Sequence, residues 1–426
     1  MRNLITMVLS SLFAGGFAMA QDKTGWLDSI SITPYGYVKL DAFYDTRETV
    51  NGREGHFLLW PAPPVYDTEG NDINDKASFN MLAVQSNFGF SVTGPQVLKA
   101  NTSARIEGDF FGQKNDNVNL VRLRHAYLKM QWNTTELLAG QFWNPVFNLE
   151  AFPYTVSFTT GTPVLPFSRN PQIRLTQHLG KFTVMGIVQS QRDYPSYGPN
   201  PDKPDESIPS PEFLSNAGMP EGHIKLGWKT TQNGWTYKAG IGGGCKKLMP
   251  RTVTSANYKT NTTVPGYSAT GYVSVGNGNF RFAGGTTYGN NATDVMSPGG
   301  FAVSAVVDSI KDIVEYTTLS SGSVWTDISG KVHKFHLGIF TGYVKHLGAA
   351  GEIVGNTWGV ANNMAYMYRV APRIWYQNKF MRVSFEIEHT AAAFGTPDVH
   401  GRVQNAEQVA NTRFLLGLYC FFNQKK

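Results

Sequence analysis

Charged side chains that recur at every second position are the residues of this 426-residue chain best suited to chemistry. Arg122 and Arg124 are two residues apart, so in a strand both guanidinium groups lie on one face, about 7 Å apart. Glu107 and Asp109 repeat this spacing on the preceding segment. Arginines that face water bind carboxylate or phosphate solutes, whereas arginines beside carboxylates form ion pairs that brace a wall. The sequence leaves both interpretations open.

Motifs of catalysis are not found in the sequence. It has no G-x-S-x-G, no H-E-x-x-H and no phosphate-binding loop. His333 and His336 differ in strand parity and cannot share a metal, and a disulfide between Cys245 and Cys420 is not expected because both fall on lipid-facing positions. The net charge of +6 is dispersed and forms no basic run. We therefore expect no enzymatic activity, no cofactor and no nucleic-acid partner.

An acidic run over residues 67–75 carries the oxygen ligands that a hard cation such as Ca²⁺ prefers. Its carboxylates are those of Asp67, Glu69, Asp72 and Asp75. Their spacing does not match an EF-hand, so a solvated loop is the favoured interpretation and Ca²⁺ the weaker one.

The composition excludes several classes of protein. Only 16% of the residues are charged, 13% are aromatic, and 44 are glycine. A disordered chain has fewer aromatics and a coiled coil is richer in Ala, Glu, Lys and Leu. Residues 1–20 have the form of a cleaved export signal, with Arg2, an apolar stretch and Ala18-Met19-Ala20. Residues 21–30 are then a short periplasmic segment before the main domain, 31–426.

Alternation of apolar and polar residues predicts strands with one apolar and one polar face. It is clearest over 82–92 and 102–110. About sixteen such segments occur along the chain. Their expected starts are near Ser31, Asn80, Lys99, Asn119, Thr135, Gln172, Lys181, His223, Gly234, Gly266, Asn279, Asp312, Lys331, Ala365, Lys379 and Asn411. The segment near Asp312 is the weakest, because residues 303–314 also fit a short helix.

Long and short connections alternate between these strands, so one end of the strands carries the long loops. This asymmetry is typical of an outer-membrane barrel with short periplasmic turns and long extracellular loops. A soluble β-propeller would show a repeat of about 40 to 50 residues, which the sequence lacks. The expected fold is therefore all-β: a transmembrane antiparallel barrel of about sixteen strands in the outer membrane of a Gram-negative bacterium.

Short segments resemble DcaP-like and general outer-membrane porins. The segment 36–45, GYVKLDAFYD, resembles the first strand of DcaP-like porins. RLRHAYL at 122–128 and GQFW at 140–143 resemble the fourth and fifth strands of general porins. The resemblance implies a homotrimer of sixteen-stranded barrels whose third loop folds inward as a constriction.

The third long loop, 143–170, is rich in Phe, Leu and Val, which is unusual for an exposed loop. We expect it to fold into the barrel, although an aromatic contact between subunits is an alternative. Glu150 is its only acid and a candidate for the constriction. Strand parity gives an excess of inward-facing basic residues, thirteen against five acids. The residues expected to line the pore or its constriction are Arg105, Arg122, Arg124, Arg174, Glu107, Asp109, Glu150, Arg369, Arg373 and Arg382.

The expected function is passive diffusion of small hydrophilic solutes, with a preference for anions, across an outer membrane. The expected partners are outer-membrane lipid and the solutes themselves. Two alternatives remain at this point. One is a barrel enzyme of the lipase or esterase type, and the other is an adhesin that uses only the long loops.

Overall fold

The computed structural model describes residues 29–423. The predicted signal peptide, 1–20, and residues 21–28 of the predicted periplasmic segment lie outside the described residues. No helix in residues 29–423 is both long and apolar enough to cross a bilayer.

Sixteen antiparallel strands close into a barrel. In chain order they are β1 Ser31–Asp45, β2 Ser78–Leu82 with Asn87–Val97, β3 Ala100–Asp109, β4 Arg122–Gln131, β5 Thr135–Trp143, β6 Arg169–Leu179, β7 Phe182–Gln189, β8 Glu221–Gln232, β9 Trp235–Leu248, β10 Val264–Gly276, β11 Phe280–Asn290, β12 Ile313–Val332, β13 Phe335–Ala349, β14 Met364–Gln377, β15 Met381–Pro397 and β16 Val403–Phe422. The barrel is closed because β1 pairs with β16, from Gly36 opposite Phe422 to Asp45 opposite Arg413. The predicted fold class is confirmed.

The two faces of the wall differ as the alternation predicted. Outward side chains such as Val38, Ile241 and Val324 are apolar and more than half exposed. Inward neighbours such as Lys39 and Asp41 are charged and buried. Lipid can solvate the outer face, and closure of the barrel satisfies every strand edge, as a bilayer requires.

Short turns lie at one end of the barrel and long connections at the other. The short turns include 98–99, 180–181, 233–234 and 333–334. The long connections are loop 1 (46–77), loop 2 (110–121), loop 3 (144–168), loop 4 (190–220), loop 5 (249–263), loop 6 (291–312) and loop 7 (350–363).

Two expected strand boundaries are wrong, and the helix that was the alternative near Asp312 is not formed. The strand expected near Lys331 begins at Phe335, because β12 continues to Val332 and turns at 333–334. The strand expected near Asn411 begins at Val403, so the last connection is short, 398–402, rather than long. Residues 303–314 contain no helix; Gly299–Asp308 is a strand that forms a hairpin with the start of β12. The start of β16, VQNAEQVA, is largely polar and resembles a loop, but its pairing with β15 makes it a strand.

Smaller elements lie within the long loops. Loop 1 contains a hairpin of Thr49–Gly52 with Phe57–Pro61. Short 3-10 helices occur at Asn115–Asn117, Leu149–Ala151 and Thr293–Val295. Loop 4 contains strands Tyr197–Pro199 and Ser207–Pro209 and the α-helix Glu212–Asn216, and loop 7 contains the strand Thr357–Val360, which pairs with Gly299–Asp308.

Candidate pore and constriction

Aromatic residues of loop 3 pack against the inner wall of the barrel. Phe147, Phe158 and Phe167 are each at most 4% exposed. They belong to a cluster that includes Phe340 and Ala371 of the opposite inner wall. Aromatic rings that would expose a large apolar surface outside the barrel are therefore buried inside it.

The hairpin of loop 1 also folds inward, which the sequence analysis missed. Phe57 packs against Phe158 with ring centroids 5.6 Å apart, and Leu58 has no exposed surface. The apolar run FLLWP at 57–61 was the available signal. Loops 1 and 3 thus form a single plug that packs against the inner wall from β10 to β15.

Buried charged residues hold this plug by its backbone. The carboxylate of Glu386 accepts hydrogen bonds from the N–H groups of Val156 and Ser157, at 2.8 and 2.9 Å. Arg369 donates to the carbonyls of Thr162 in loop 3, at 2.8 Å, and of Leu59 in loop 1, at 2.7 Å. These inward charges therefore position the loops.

The arginines of β3 and β4 form ion pairs with the acids between them. Arg122 donates to both carboxylate oxygens of Asp109, at 3.1 and 2.9 Å. Arg124 bridges Glu107 at 2.8 Å and Asp109 at 2.7 Å. Arg105 pairs with Glu107 at 2.5 Å. The bracing interpretation describes this wall, and the expectation that Arg122 and Arg124 line an open bore opposite Glu150 is corrected.

Two further predicted pore residues are also buried and paired. Arg369 lies 2.9 Å from Glu388, and Arg373 lies 2.7 Å from Asp327. Both arginines are at most 4% exposed, because the plug covers them. Strand parity predicted that both side chains point into the barrel. It cannot predict that the loops cover them there. Asp327 was missed because the strand that carries it was the weakest prediction.

An unpaired basic pair lies on the other wall, where β8 meets β9. Lys229 and Lys238 are directly opposite each other in the register. Both face inward, and among the described residues neither ammonium group forms an ion pair. Arg281 of β11 and Glu150 are the other charges that act on Lys238. Like charges placed directly opposite each other destabilise a sheet, so this pair lowers the stability of the β8–β9 hairpin.

Glu150 lies at the edge of the plug and faces this basic wall. Its carboxylate pairs with Lys225 at 2.9 Å, and its side chain is 29% exposed. Burial alone would raise the pKa of Glu150, but the charge and hydrogen bond of Lys225 outweigh burial and lower it. Arg174 is nearby, with hydrogen bonds to Gln172 and to the Trp143 carbonyl but no acidic partner in the described chain.

The wall beneath Lys225 is lined by an aromatic ring. Lys225 lies 5.0 Å from the ring centre of Tyr272. The ring crosses Gly240, where an added Cβ would lie 2.5 Å from it. A glycine is required at this position because any side chain would collide with the ring of Tyr272.

The acidic run of loop 1 forms turns rather than a metal site. Asp67 accepts hydrogen bonds from the N–H groups of Glu69 and Asn71, and Asp72 pairs with Arg47 at 2.6 Å. Glu69 and Asp75 are exposed. Residues 29–423 contain no group of three or more metal-ligating side chains. The weaker Ca²⁺ interpretation therefore finds no support.

A closed barrel with an apolar outer face, a charged lumen and inward-folded loops defines a porin-type channel of the outer membrane. Comparison with known proteins agrees. The sequence model of the DcaP outer membrane protein family matches residues 16–186. The predicted resemblance to DcaP-like porins is thereby confirmed, and the chain is an outer-membrane protein. A comparison with the curated proteins found no match.

Solved structures share the fold at low sequence identity. The DcaP channel of Acinetobacter baumannii has a TM-score of 0.65 at 15% identity, over 95% of this chain and 100% of that one. OmpT of Vibrio cholerae in its trimer form has a TM-score of 0.53 at 12% identity, over 93% and 100%. An anion-selective porin from Comamonas acidovorans has a TM-score of 0.52 at 11% identity, over 92% and 100%. All three are channels or outer-membrane proteins.

Proposed function

We propose that this outer-membrane channel is selective for small hydrophilic anions, acts without catalysis and assembles as a homotrimer. The observation that carries the proposal is the facing pair Lys229 and Lys238, which has no acidic partner among the described residues. The trimer form of the similar OmpT supports the assembly, and the similar porin from Comamonas acidovorans, which is anion-selective, supports the preference for anions.

The mechanism follows from where charge remains uncompensated. Basic residues without an acidic partner lie on the inner wall formed by β6 to β9. On that side Lys229, Lys238 and Arg174 lack acidic partners among the described residues, so the local potential is positive. A low-dielectric wall focuses this potential and raises the local concentration of anions. Two unpaired lysines that face each other can bind an anion and release it again. A lysine or arginine already paired with a buried carboxylate cannot bind a passing anion in this way.

A reversal-potential measurement across a KCl gradient tests the proposal. We expect the wild-type channel to favour chloride over potassium, and the double variant Lys229→Gln with Lys238→Gln to lose most of this preference. The matched control, Lys247→Gln with Lys259→Gln, removes the same charge from exposed positions outside the lumen. Cation selectivity of the wild type, or equal effects of both double variants, would contradict the proposal.

A further inference from the structure

A second basic region lies at the short-turn end of the barrel, below the plug. A cavity of about 520 Å³ occupies this region. Phe152 and Tyr154 of loop 3 form its roof. Its wall is formed by side chains that include Arg281, Lys331, His336, Trp375 and Arg382. The lysine pair lies at the same end of the barrel, because the register places Arg281 only one inward position beyond the level of Lys238.

The charges that line the cavity are basic. Lys331 faces His336, and His336 faces Trp375, on successive strands β12 to β14. Arg382 donates to Gln377, at 2.9 and 2.6 Å, and to no acid in the described chain. No described carboxylate lines the cavity. Asp327 lies nearby, but it pairs mainly with Arg373, at 2.7 Å, and is 3.4 Å from Arg281.

Aromatic rings accompany these cations. His336 stacks on Trp375 with centroids 5.1 Å apart and planes 8° from parallel. Arg281 lies 4.4 Å from the ring centre of Tyr154, which is 47% exposed. The exposed area of Tyr154 is a surface on which another ring can pack.

We propose that this cavity is a binding site for aromatic phosphomonoesters; the inference rests on the proposed anion channel and names a substrate class for it. Arg281, Lys331 and Arg382 project from three different strands, so they approach a ligand from different directions. A tetrahedral dianion presents oxygens to all three, whereas a planar carboxylate presents only two. The ligand's ring packs beneath the roof, against Phe152 and Tyr154.

The position of the site gives it a role in transport. A solute that binds at Lys229 and Lys238 has a second basic site close by, since Arg281 of the cavity is one inward position away in the register. Conduction requires several sites that are each weak enough to release the solute. The cavity therefore provides a second, weak site beside the lysine pair, from which the solute is released.

Calorimetric titration of the purified channel in detergent tests the proposal, with phenyl phosphate as the probe and benzoate and inorganic phosphate as comparators. We expect phenyl phosphate to bind more tightly than either comparator. Arg281→Gln and Arg382→Gln should each weaken its binding about tenfold, because each removes a charge-assisted hydrogen bond. Lys247→Gln, which changes an exposed lysine of β9, should leave binding unchanged. Heat-modifiable migration confirms that each variant is folded.

Other outcomes overturn the proposal in distinct ways. Equal binding of benzoate removes the preference for phosphate, and equal binding of inorganic phosphate removes the role of the rings. Loss of binding in Lys229→Gln with Lys238→Gln, but not in Arg281→Gln or Arg382→Gln, places the site at the lysine pair instead. Anion selectivity without phenyl phosphate binding refutes only this inference, whereas cation selectivity with intact binding refutes only the proposed function.

Discussion

Two walls of the same barrel carry similar numbers of cations and use them differently. On β3 and β4, Arg122 and Arg124 bind Glu107 and Asp109 and are largely covered by loops. On β8 and β9, Lys229 and Lys238 face each other without an acid. The count of inward charges is therefore a poor guide to selectivity, because only uncompensated charge that meets water acts on a passing solute.

Removal of the plug between the two walls should change the conductance of the channel more than any other variant. We expect deletion of residues 151–166 to raise the conductance per channel more than any point substitution, because loop 3 occupies the lumen between the two walls. Single-channel recording in a planar bilayer measures this. Unchanged conductance in a folded variant would mean that another segment sets the bore.

Loss of one acid should weaken the paired wall. Asp109→Ala leaves Arg122 and Arg124 buried without a shared carboxylate. Breaking a buried ion pair costs about 3–5 kcal/mol, so we expect a decrease of that order in the free energy of unfolding. Urea titration in detergent measures it, and Asp116→Ala, at an exposed position of loop 2, is the control. Equal stability of both variants would contradict the bracing role.

Removal of the whole paired cluster should leave selectivity nearly unchanged. The quadruple variant Arg122→Gln, Arg124→Gln, Glu107→Gln and Asp109→Asn removes two positive and two negative charges. We expect its reversal potential to remain close to that of the wild type, unlike that of Lys229→Gln with Lys238→Gln. A large loss of anion preference in the folded quadruple variant would show that the arginine wall sets the selectivity.

Titration of Glu150 should give the smallest effect. Because the net pKa shift of Glu150 is downward, its carboxylate stays charged until the pH falls below the ordinary range for Glu, about 4.3. The stabilisation from its pair with Lys225 is present above that range and is lost as the pH falls through the lowered pKa. Protonation also frees Lys225, so anion preference should rise modestly at acid pH. Glu150→Gln should show the higher preference already at neutral pH and should lack the acid-dependent change.

The sequence predicts the barrel well because its signals are local. Alternation assigns each strand two faces, and the apolar rings of loop 3 require a buried site. The position of the facing lysines could also be predicted from the sequence. Asn233-Gly234 is a two-residue turn that fixes the register, and this register places Lys229 opposite Lys238.

The remaining features depend on contacts between distant segments. Arg124 reaches both Glu107 and Asp109 because the register between β3 and β4 shifts after Glu107. The burial of Arg369 and Arg373 depends on where the loops settle. Periodicity within one strand carries no information about either feature.

The contacts of Arg369 have a consequence for biogenesis. This arginine lies on β14, yet it bonds to Leu59, 310 residues earlier, and to Thr162, 207 residues earlier. Contacts of such long range form late, because the intervening chain must first be ordered. In a nascent barrel that lacks its last strands, the aromatic residues of loops 1 and 3 would have no inner wall to pack against. Their exposed apolar surface would then favour aggregation. The contacts that hold the plug are therefore completed only after β14 is in place.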